Sequence, residues 1–181
     1  MVSYGQGDYQ AFEELYNRNK APLYRYFLRQ LKHSALAEEF SHEVWLRIIK
    51  SRESYFPKAK FTTYLFQIAH NRIIDHFRQS SKENLINIED HNDLQIPAGD
   101  AGNPESKLDS DRGKQQLITL INLLPGEQRE VFLLKEEGGL SIEDIANVVG
   151  ENAETIKSRM RYAVKKLKEG MLQYFNGYQD E

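Results

Sequence analysis

The sequence contains no cysteine among its 181 residues, which excludes a disulfide scaffold, thiol catalysis and any cysteine-ligated metal site. It also lacks an apolar run that approaches the roughly 20 residues needed to span a membrane. The first ten residues are polar and lack the apolar core of a secretory signal. We therefore expect a soluble cytoplasmic protein that does not insert into a membrane.

The overall composition is that of a folded protein. Charged residues make up 28% and hydrophobic residues 40% of the chain, which excludes wholesale disorder. The length fits one domain or two small ones. The 24 basic residues are outnumbered by 27 acidic ones, giving a net charge of −3. Because nucleic-acid-binding domains are usually basic, this total by itself argues against that class.

Glycine is absent from residues 8–79, and proline occurs there only as Pro22 and Pro57. Apolar residues recur at the spacing of one helix face, starting after the capping residue Asp8 and continuing over about 35–50 and 60–79. Helical periodicity returns after residue 113. No stretch shows the alternation of apolar and polar residues that is typical of a strand. The sequence therefore predicts an all-α fold.

The segment between residues 80 and 113 differs in character. It is rich in turn-forming residues and contains eight acidic and three basic residues, a net charge of −5. Such a stretch between two periodic segments is typical of a linker, and a simple spacer is an equally good interpretation. We predict a first small helical domain at 1–80, a flexible acidic linker at 81–112, a second domain at 113–176 and a tail at 177–181.

A helix-turn-helix is predicted in the second domain. Ser141 and Asp144 have the spacing of a capping box at a helix start. Ala146 is small enough for two helices to cross closely, Gly150 can form the turn, and Ile156 can fill the space between the helices. Any corner of two helices reproduces part of this pattern, so an ordinary helical corner is the alternative.

The helix after this turn is strongly basic. Six basic residues and no acidic residue lie between positions 155 and 168. Lys157, Ser158, Arg161 and Lys165 fall on a different side from the apolar face, where a recognition helix presents side chains to the major groove. A solvated basic surface is the alternative. The preceding turn favours DNA binding.

The predicted helix at 60–79 has a polar side. Thr63, Gln67, Asn71 and Asp75 are spaced by four, and aromatic residues lie among the neighbouring bases Lys58, Lys60, Arg72 and Arg78. Proteins bind single-stranded nucleic acid through positive charge along its phosphate backbone and through aromatic rings that stack on its bases. Composition alone favours the plainer interpretation, in which the aromatic residues are core and the amides are solvated.

Catalysis has little support in the sequence. His42 and Glu43 begin like a zinc-protease motif, but Leu46 stands where the second histidine is needed. No phosphate-binding glycine loop and no G-x-S-x-G motif occurs. We predict that the protein is not an enzyme and needs no cofactor, metal or small-molecule substrate.

Four ordered stretches resemble the extracytoplasmic-function (ECF) sigma factors of bacterial RNA polymerase. They are residues 11–27, residues 37–47 (AEEFSHEVWLR), residues 61–72 (FTTYLFQIAHNR) with Asp75 and Arg78, and the group formed by 124–131, 139–141 and 155–159. The resemblance covers nearly everything except the linker and the last few residues. It implies a protein that binds core polymerase and directs promoter-specific initiation by reading the −35 duplex and capturing melted −10 bases.

The resemblance also assigns site residues. It implies that the polymerase-binding residues are Glu38, Glu39, Glu43 and Arg47. It implies that the −10 strand is held by the loop 52–60 and by Lys60, Thr63, Gln67, Asn71, Arg72 and Arg78, the two arginines through phosphates. It implies that the −35 duplex is contacted by Thr155, Lys157, Ser158, Arg159, Arg161 and Lys165.

The expected partners are core RNA polymerase, promoter DNA and an anti-sigma factor. A stand-alone helix-turn-helix regulator is the main alternative, and a module whose basic helix binds an acidic protein is another. The net charge no longer argues against DNA binding when it is divided by segment: +6 over 155–168, +3 over 58–79 and −5 in the linker. We expect weak DNA affinity in the free protein, with binding that awaits the polymerase.

Overall fold

The computed structural model describes residues 1–83 and 104–177, so most of the predicted linker and the last four residues of the tail lie outside the described residues. Within the described residues the fold contains helices and no strand, which confirms the all-α prediction. The helices are α1 (Val2–Gly5), α2 (Tyr9–Leu31), α3 (Ser34–Lys50), α4 (Phe61–Glu83), α5 (Pro104–Leu123), α6 (Gly126–Glu136), α7 (Ile142–Val149) and α8 (Ala153–Gly177). The predicted start of the second domain, residue 113, falls inside α5.

The N-terminal half, α1 to α4, is built around α2. This helix starts where the Asp8 carboxylate accepts a hydrogen bond from the Ala11 N–H at 3.1 Å, as its capping role predicts. Its buried residues Tyr26 and Phe27 contact Phe40 of α3 and Phe66 of α4 edge to face, with ring centroids 5.4–5.7 Å apart. These ring contacts hold α2, α3 and α4 together. Phe77, in the second half of α4, is 48% exposed.

The C-terminal half, α5 to α8, contains the predicted turn. Ser141 and Asp144 form a complete capping box at the start of α7. Gly150 ends α7 with a φ of 73°, a conformation that costs glycine little. Ile156 of α8 is fully buried and Ala146 of α7 is nearly so. The local geometry of the helix-turn-helix was therefore predictable from short-range spacing.

The two halves pack directly against each other, which the sequence did not predict. Here α4 lies along α7 and α2 lies against α6, and buried apolar residues from both halves form one cluster. A Cβ placed on Gly138, just after α6, would lie 3.2 Å from the ring of Phe66 in α4, so the backbone approaches closely there. We call this packing of α2 and α4 on α6 and α7 the interdomain contact. No helix within the described residues has the length and apolarity required to cross a membrane.

Candidate nucleic-acid interface

The basic side of α8 is open to solvent. Lys157, Arg161 and Lys165 are all exposed. They line an open groove of about 550 Å³ whose floor includes Ile142 of α7 and Met160 of α8. Because the apolar residues beneath fix the helix on α7, the three cations are presented together on one surface. This is the arrangement that a recognition helix needs to meet phosphates and base edges.

The other predicted −35 residues are more constrained. Arg159 is only 20% exposed and pairs with Glu127 at 2.8 Å and with Glu151 at 3.1 Å. The Arg159 side chain therefore joins α8 to α6 and to the turn between α7 and α8. Thr155 and Ser158 are half-buried.

Lys157 has an acidic neighbour on the same helix. Glu154 accepts a hydrogen bond from its ammonium group at 2.7 Å, and this bond with the carboxylate charge raises the pKa of Lys157. The pair lies in the first turn of α8, where a recognition helix reaches the bases. Lys157 is therefore charged, and Glu154 occupies one of its hydrogen-bond donors.

The predicted −10 residues on α4, and Lys60 just before it, lie in three different environments. Lys60, Asn71 and Arg78 are exposed, and Arg78 pairs with Asp75 at 2.7 Å. Thr63 is buried. Gln67 donates a hydrogen bond from its amide nitrogen to the main-chain oxygen of Val148 in α7, at 3.0 Å. The interdomain contact thus covers part of the polar side of α4 and leaves the rest of that side exposed to solvent.

Arg72 and Glu43 were assigned to different surfaces, and the structure brings them together. The Arg72 guanidinium forms a salt bridge with the Glu43 carboxylate across α4 and α3. The same guanidinium lies 3.6 Å from the centre of the Phe40 ring, a cation–π distance. Both groups therefore hold α4 on α3, and Arg72 is not presented to solvent as a free phosphate ligand.

The exposed surface of α3 carries the remaining predicted polymerase residues. Glu38, Glu39 and Arg47 are solvent-exposed on this helix. Leu46, which the sequence analysis did not assign, is 54% exposed beside Arg47. An apolar side chain surrounded by charged ones is a usual composition for a protein-binding surface.

The loop at 51–60 precedes α4 and presents an aromatic ring. The Ser51 and Tyr64 hydroxyls lie 3.0 Å apart, and the Tyr55 ring packs 5.2 Å from the Tyr64 ring, so the first half of the loop is held against α4. Phe56, the residue after Tyr55, is 74% exposed. Phe56 lies in the loop 52–60 that the resemblance assigns to the −10 strand, although the resemblance does not single out this ring. The available signal was an aromatic residue next to Pro57 in an otherwise polar loop.

The helix α1 supports the same loop from the other side. A Cβ on Gly5 would lie 2.7 Å from the main-chain oxygen of Arg52, so α1 touches the loop backbone. The Arg52 guanidinium lies 5.9 Å from the centre of the buried Tyr4 ring. The loop is therefore enclosed between α1 and α4 at its start, while its tip remains open.

These features define a class of protein: a two-part helical DNA-binding protein with a helix-turn-helix in its C-terminal half and a polar, aromatic-flanked helix in its N-terminal half. Residues 15–83 match the family model described as Sigma-70 region 2, and residues 114–167 match the one described as Sigma-70, region 4. The chain belongs to the ECF sigma factors of the sigma-70 family. Its function is promoter-specific initiation of transcription with RNA polymerase.

Curated relatives of similar length support this family membership. The chain is 28% identical over 166 residues to the ECF RNA polymerase sigma factor SigK of Mycobacterium sp. (strain KMS), covering 89% of this chain and 83% of the relative. It is 27% identical over 172 residues to the RNA polymerase sigma factor CarQ of Myxococcus xanthus, covering 93% and 94%.

Solved structures show the same fold. The sigma factor RpoE from Bartonella quintana, solved in complex with the anti-sigma factor NepR, matches with a TM-score of 0.72 at 21% identity, covering 91% of this chain and 98% of that one. CnrH, solved in complex with the cytosolic domain of CnrY, matches with a TM-score of 0.60 at 18% identity, covering 91% and 90%.

Proposed function

We propose that the two halves of this sigma factor divide promoter recognition between them. The C-terminal half reads the −35 duplex with α8, and the N-terminal half binds core polymerase with α3 and captures melted −10 bases with α4 and the loop at 51–60. The main support is the exposed set of Lys157, Arg161 and Lys165 on a helix-turn-helix, in a chain whose other half matches Sigma-70 region 2. The protein acts by binding and not by catalysis.

Within the −35 site we assign direct DNA contacts to Lys157, Arg161 and Lys165, with Thr155 and Ser158 beside them. Arg159 positions the recognition helix through its two ion pairs. Arginine can bind guanine through two hydrogen bonds, whereas lysine binds phosphate or base as a point charge. Arg161 is therefore the residue expected to contribute most to sequence preference.

Replacing Arg161 by alanine is expected to weaken −35 duplex binding by about 1–3 kcal/mol and to relax base preference at one position. The measurement is fluorescence anisotropy with promoter and scrambled duplexes. Lys166→Ala is the matched control, because Lys166 is exposed on the same helix but does not line the groove. Binding to core polymerase should be unchanged. Equal losses of DNA and polymerase binding would contradict the division between the halves.

For the −10 strand we assign contacts to Lys60, Asn71 and Arg78, which are exposed, and to Gln67 and Thr63 once they are uncovered. Phe56 is added as a stacking surface, because an exposed ring on a supported loop can stack on an unpaired base. Arg72 holds α4 against α3 through Glu43, and its proposed effect on DNA is indirect.

For polymerase docking we assign Glu38, Glu39, Arg47 and the exposed apolar Leu46 on α3. Residues that become buried near the centre of an interface usually contribute most of the binding energy. The proposed partners are core polymerase, promoter DNA and an anti-sigma factor, the last because two structurally similar sigma factors were solved with such a partner or a partner's cytosolic domain. The proposed location is the cytoplasm, where the chromosome is transcribed.

The decisive experiment is run-off transcription with core polymerase from the same organism. We expect transcripts from a small set of genomic fragments only when this protein is added, and their loss when the −35 element is scrambled. Core polymerase alone is the control. Absence of any promoter-specific transcript, with DNA binding intact, would identify a stand-alone regulator instead.

A further inference from the structure

The short helix α1 is joined firmly to the helices that follow it. The Tyr4 ring is buried, and its centre lies 4.8 Å from the centre of the Phe12 ring on α2. Phe12 in turn packs edge to face on Trp45 of α3, with ring centres 6.0 Å apart. The Gly7 N–H donates to the main-chain oxygen of Tyr4 at 3.0 Å and closes the turn after α1. The aromatic contacts of the N-terminal half therefore fix the position of α1.

The other side of α1 touches the loop at 51–60. A Cβ on Gly5 would lie 2.7 Å from the main-chain oxygen of Arg52, closer than real Cβ atoms come to a neighbouring atom. Only main-chain atoms of Arg52 lie that near, so no side chain can rotate away to make room. Gly5 is helical and does not have a positive φ, so this close approach is the physical reason for a glycine at this position. The Arg52 guanidinium lies 5.9 Å from the centre of the Tyr4 ring and adds a cation–π contact.

The loop backbone connects Arg52 to the exposed ring of Phe56, four positions further along the chain. Between them, the Ser54 N–H and hydroxyl both donate to the main-chain oxygen of Ser51, at 3.1 and 3.2 Å. The Tyr55 ring packs on a tyrosine ring of α4, with centres 5.2 Å apart. These contacts leave the stretch little freedom, so a displacement of Arg52 also displaces the Phe56 ring.

We propose that α1 positions the loop at 51–60, and that Tyr4 and Gly5 are positioning residues for the capture of a −10 base. Tyr4 anchors α1 on α2, and Gly5 sets the distance at which α1 supports the loop. Both residues act through Arg52 and the Phe56 ring, and neither contacts the DNA strand itself. This inference rests on the −10 role of the loop in the proposed function.

The size of the expected displacement follows from the contact at Gly5. Relaxing a Cβ contact from 2.7 Å to an ordinary 3.4 Å requires the two backbones to move apart by 0.7 Å. Binding groups must be held to within about 0.5 Å of their productive geometry. We therefore expect a Cβ at this position to weaken base capture about tenfold, which is within the range for losing one stacked base.

The first test adds that Cβ. Gly5→Ala should reduce open-complex formation by about tenfold, measured as permanganate reactivity of −10 thymines with core polymerase in excess. Gly126→Ala is the matched control, because Gly126 is also helical and a Cβ there would meet nothing within 4 Å. Binding of core polymerase and of the −35 duplex should be unchanged in both variants.

A second measurement separates positioning from a general loss of stability. Open complexes are compared on promoters that carry each of the four bases in turn at each −10 position. A displaced ring should change the ratio between the best and the second-best base by about threefold, because stacking distinguishes bases only weakly. Leu23→Ala leaves a cavity in the core of the same half and should lower opening on all these promoters by a common factor.

The anchor is tested at Tyr4. Tyr4→Phe keeps the ring contact with Phe12 and should retain most of the opening activity. Tyr4→Ala removes that contact and should lose about as much activity as Gly5→Ala. Hydrogen exchange of the Ser54 amide, whose N–H is bonded to the main-chain oxygen of Ser51, should be about tenfold faster in Tyr4→Ala and Gly5→Ala than in the wild type.

Three outcomes would overturn the inference: unchanged opening by Gly5→Ala and Tyr4→Ala, unchanged exchange of the Ser54 amide, or an equal loss of opening by Gly5→Ala on every promoter. The exchange measurement does not depend on transcription. A failure of the proposed function is therefore recognised separately, as normal strand opening by Phe56→Ala together with faster exchange in Gly5→Ala.

Discussion

Replacing Phe56 by alanine is expected to reduce open-complex formation by roughly 5- to 150-fold. This range corresponds to the loss of about 1–3 kcal/mol of stacking on one unpaired base. The physical reason is that the ring is 74% exposed and directly follows the part of the loop that Ser51 and Tyr55 hold against Tyr64. Open complexes are measured by permanganate reactivity of thymines at the −10 element, with promoter and core polymerase in excess.

Two variants separate stacking from a general effect of removing an exposed apolar side chain. Leu123→Ala is the matched control, because Leu123 is also 74% exposed but lies at the end of α5. Phe56→Tyr keeps the ring and should retain most of the activity. Closed-complex binding should be unchanged in all three. Unaltered strand opening by Phe56→Ala would show that the loop captures no base by stacking.

Replacing Ile156 by alanine is expected to lower the free energy of unfolding by about 2–5 kcal/mol. Ile156 is fully buried at the start of α8 and belongs to the same core cluster as Ala146 of α7, the helix that packs on α8. The cost has two sources, the lost burial of three carbon atoms and the cavity that remains. Urea denaturation followed by circular dichroism measures it.

The smaller change Ile156→Val should cost only about 0.5–1.5 kcal/mol, because it removes a single methyl group. Both variants should keep their core-polymerase binding at low temperature, since α3 is in the other half. The alanine variant should lose −35 duplex binding at a lower temperature than the wild type. Similar stability of Ile156→Ala and the wild type would mean that this residue does not hold the two helices together.

The helix-turn-helix was predictable in detail because its determinants are local. The hydroxyl and carboxylate of Ser141 and Asp144 satisfy main-chain groups three residues away, and only glycine takes the Gly150 conformation without cost. Ile156 needed to be buried because of its spacing from that turn. Each of these constraints acts within one or two turns of helix, so the order of residues is enough to reveal it.

The partners of charged side chains could not be predicted in the same way. In the sequence, Arg159 and Arg161 are two similar bases of α8. In the structure, Arg159 pairs with Glu127, whereas Arg161 lines an open groove. The sequence places Arg72 among the bases of α4 and does not show that it pairs with Glu43 of the neighbouring helix. A long charged side chain pairs with an opposite charge that packing brings near it. Several acidic residues along the sequence are equally good candidates for that ion pair.

The sequence by itself determined the helices, their caps, the recognition turn and the two-part DNA-binding design, because periodicity and capping are short-range physics. Only the tertiary structure decided which polar residues of α4 are covered. Gln67 and His70 meet Val148 and Glu130 because packing brings α6 and α7 onto α4. Such contacts join positions 60–81 apart, where the order of residues along the chain carries no information about distance.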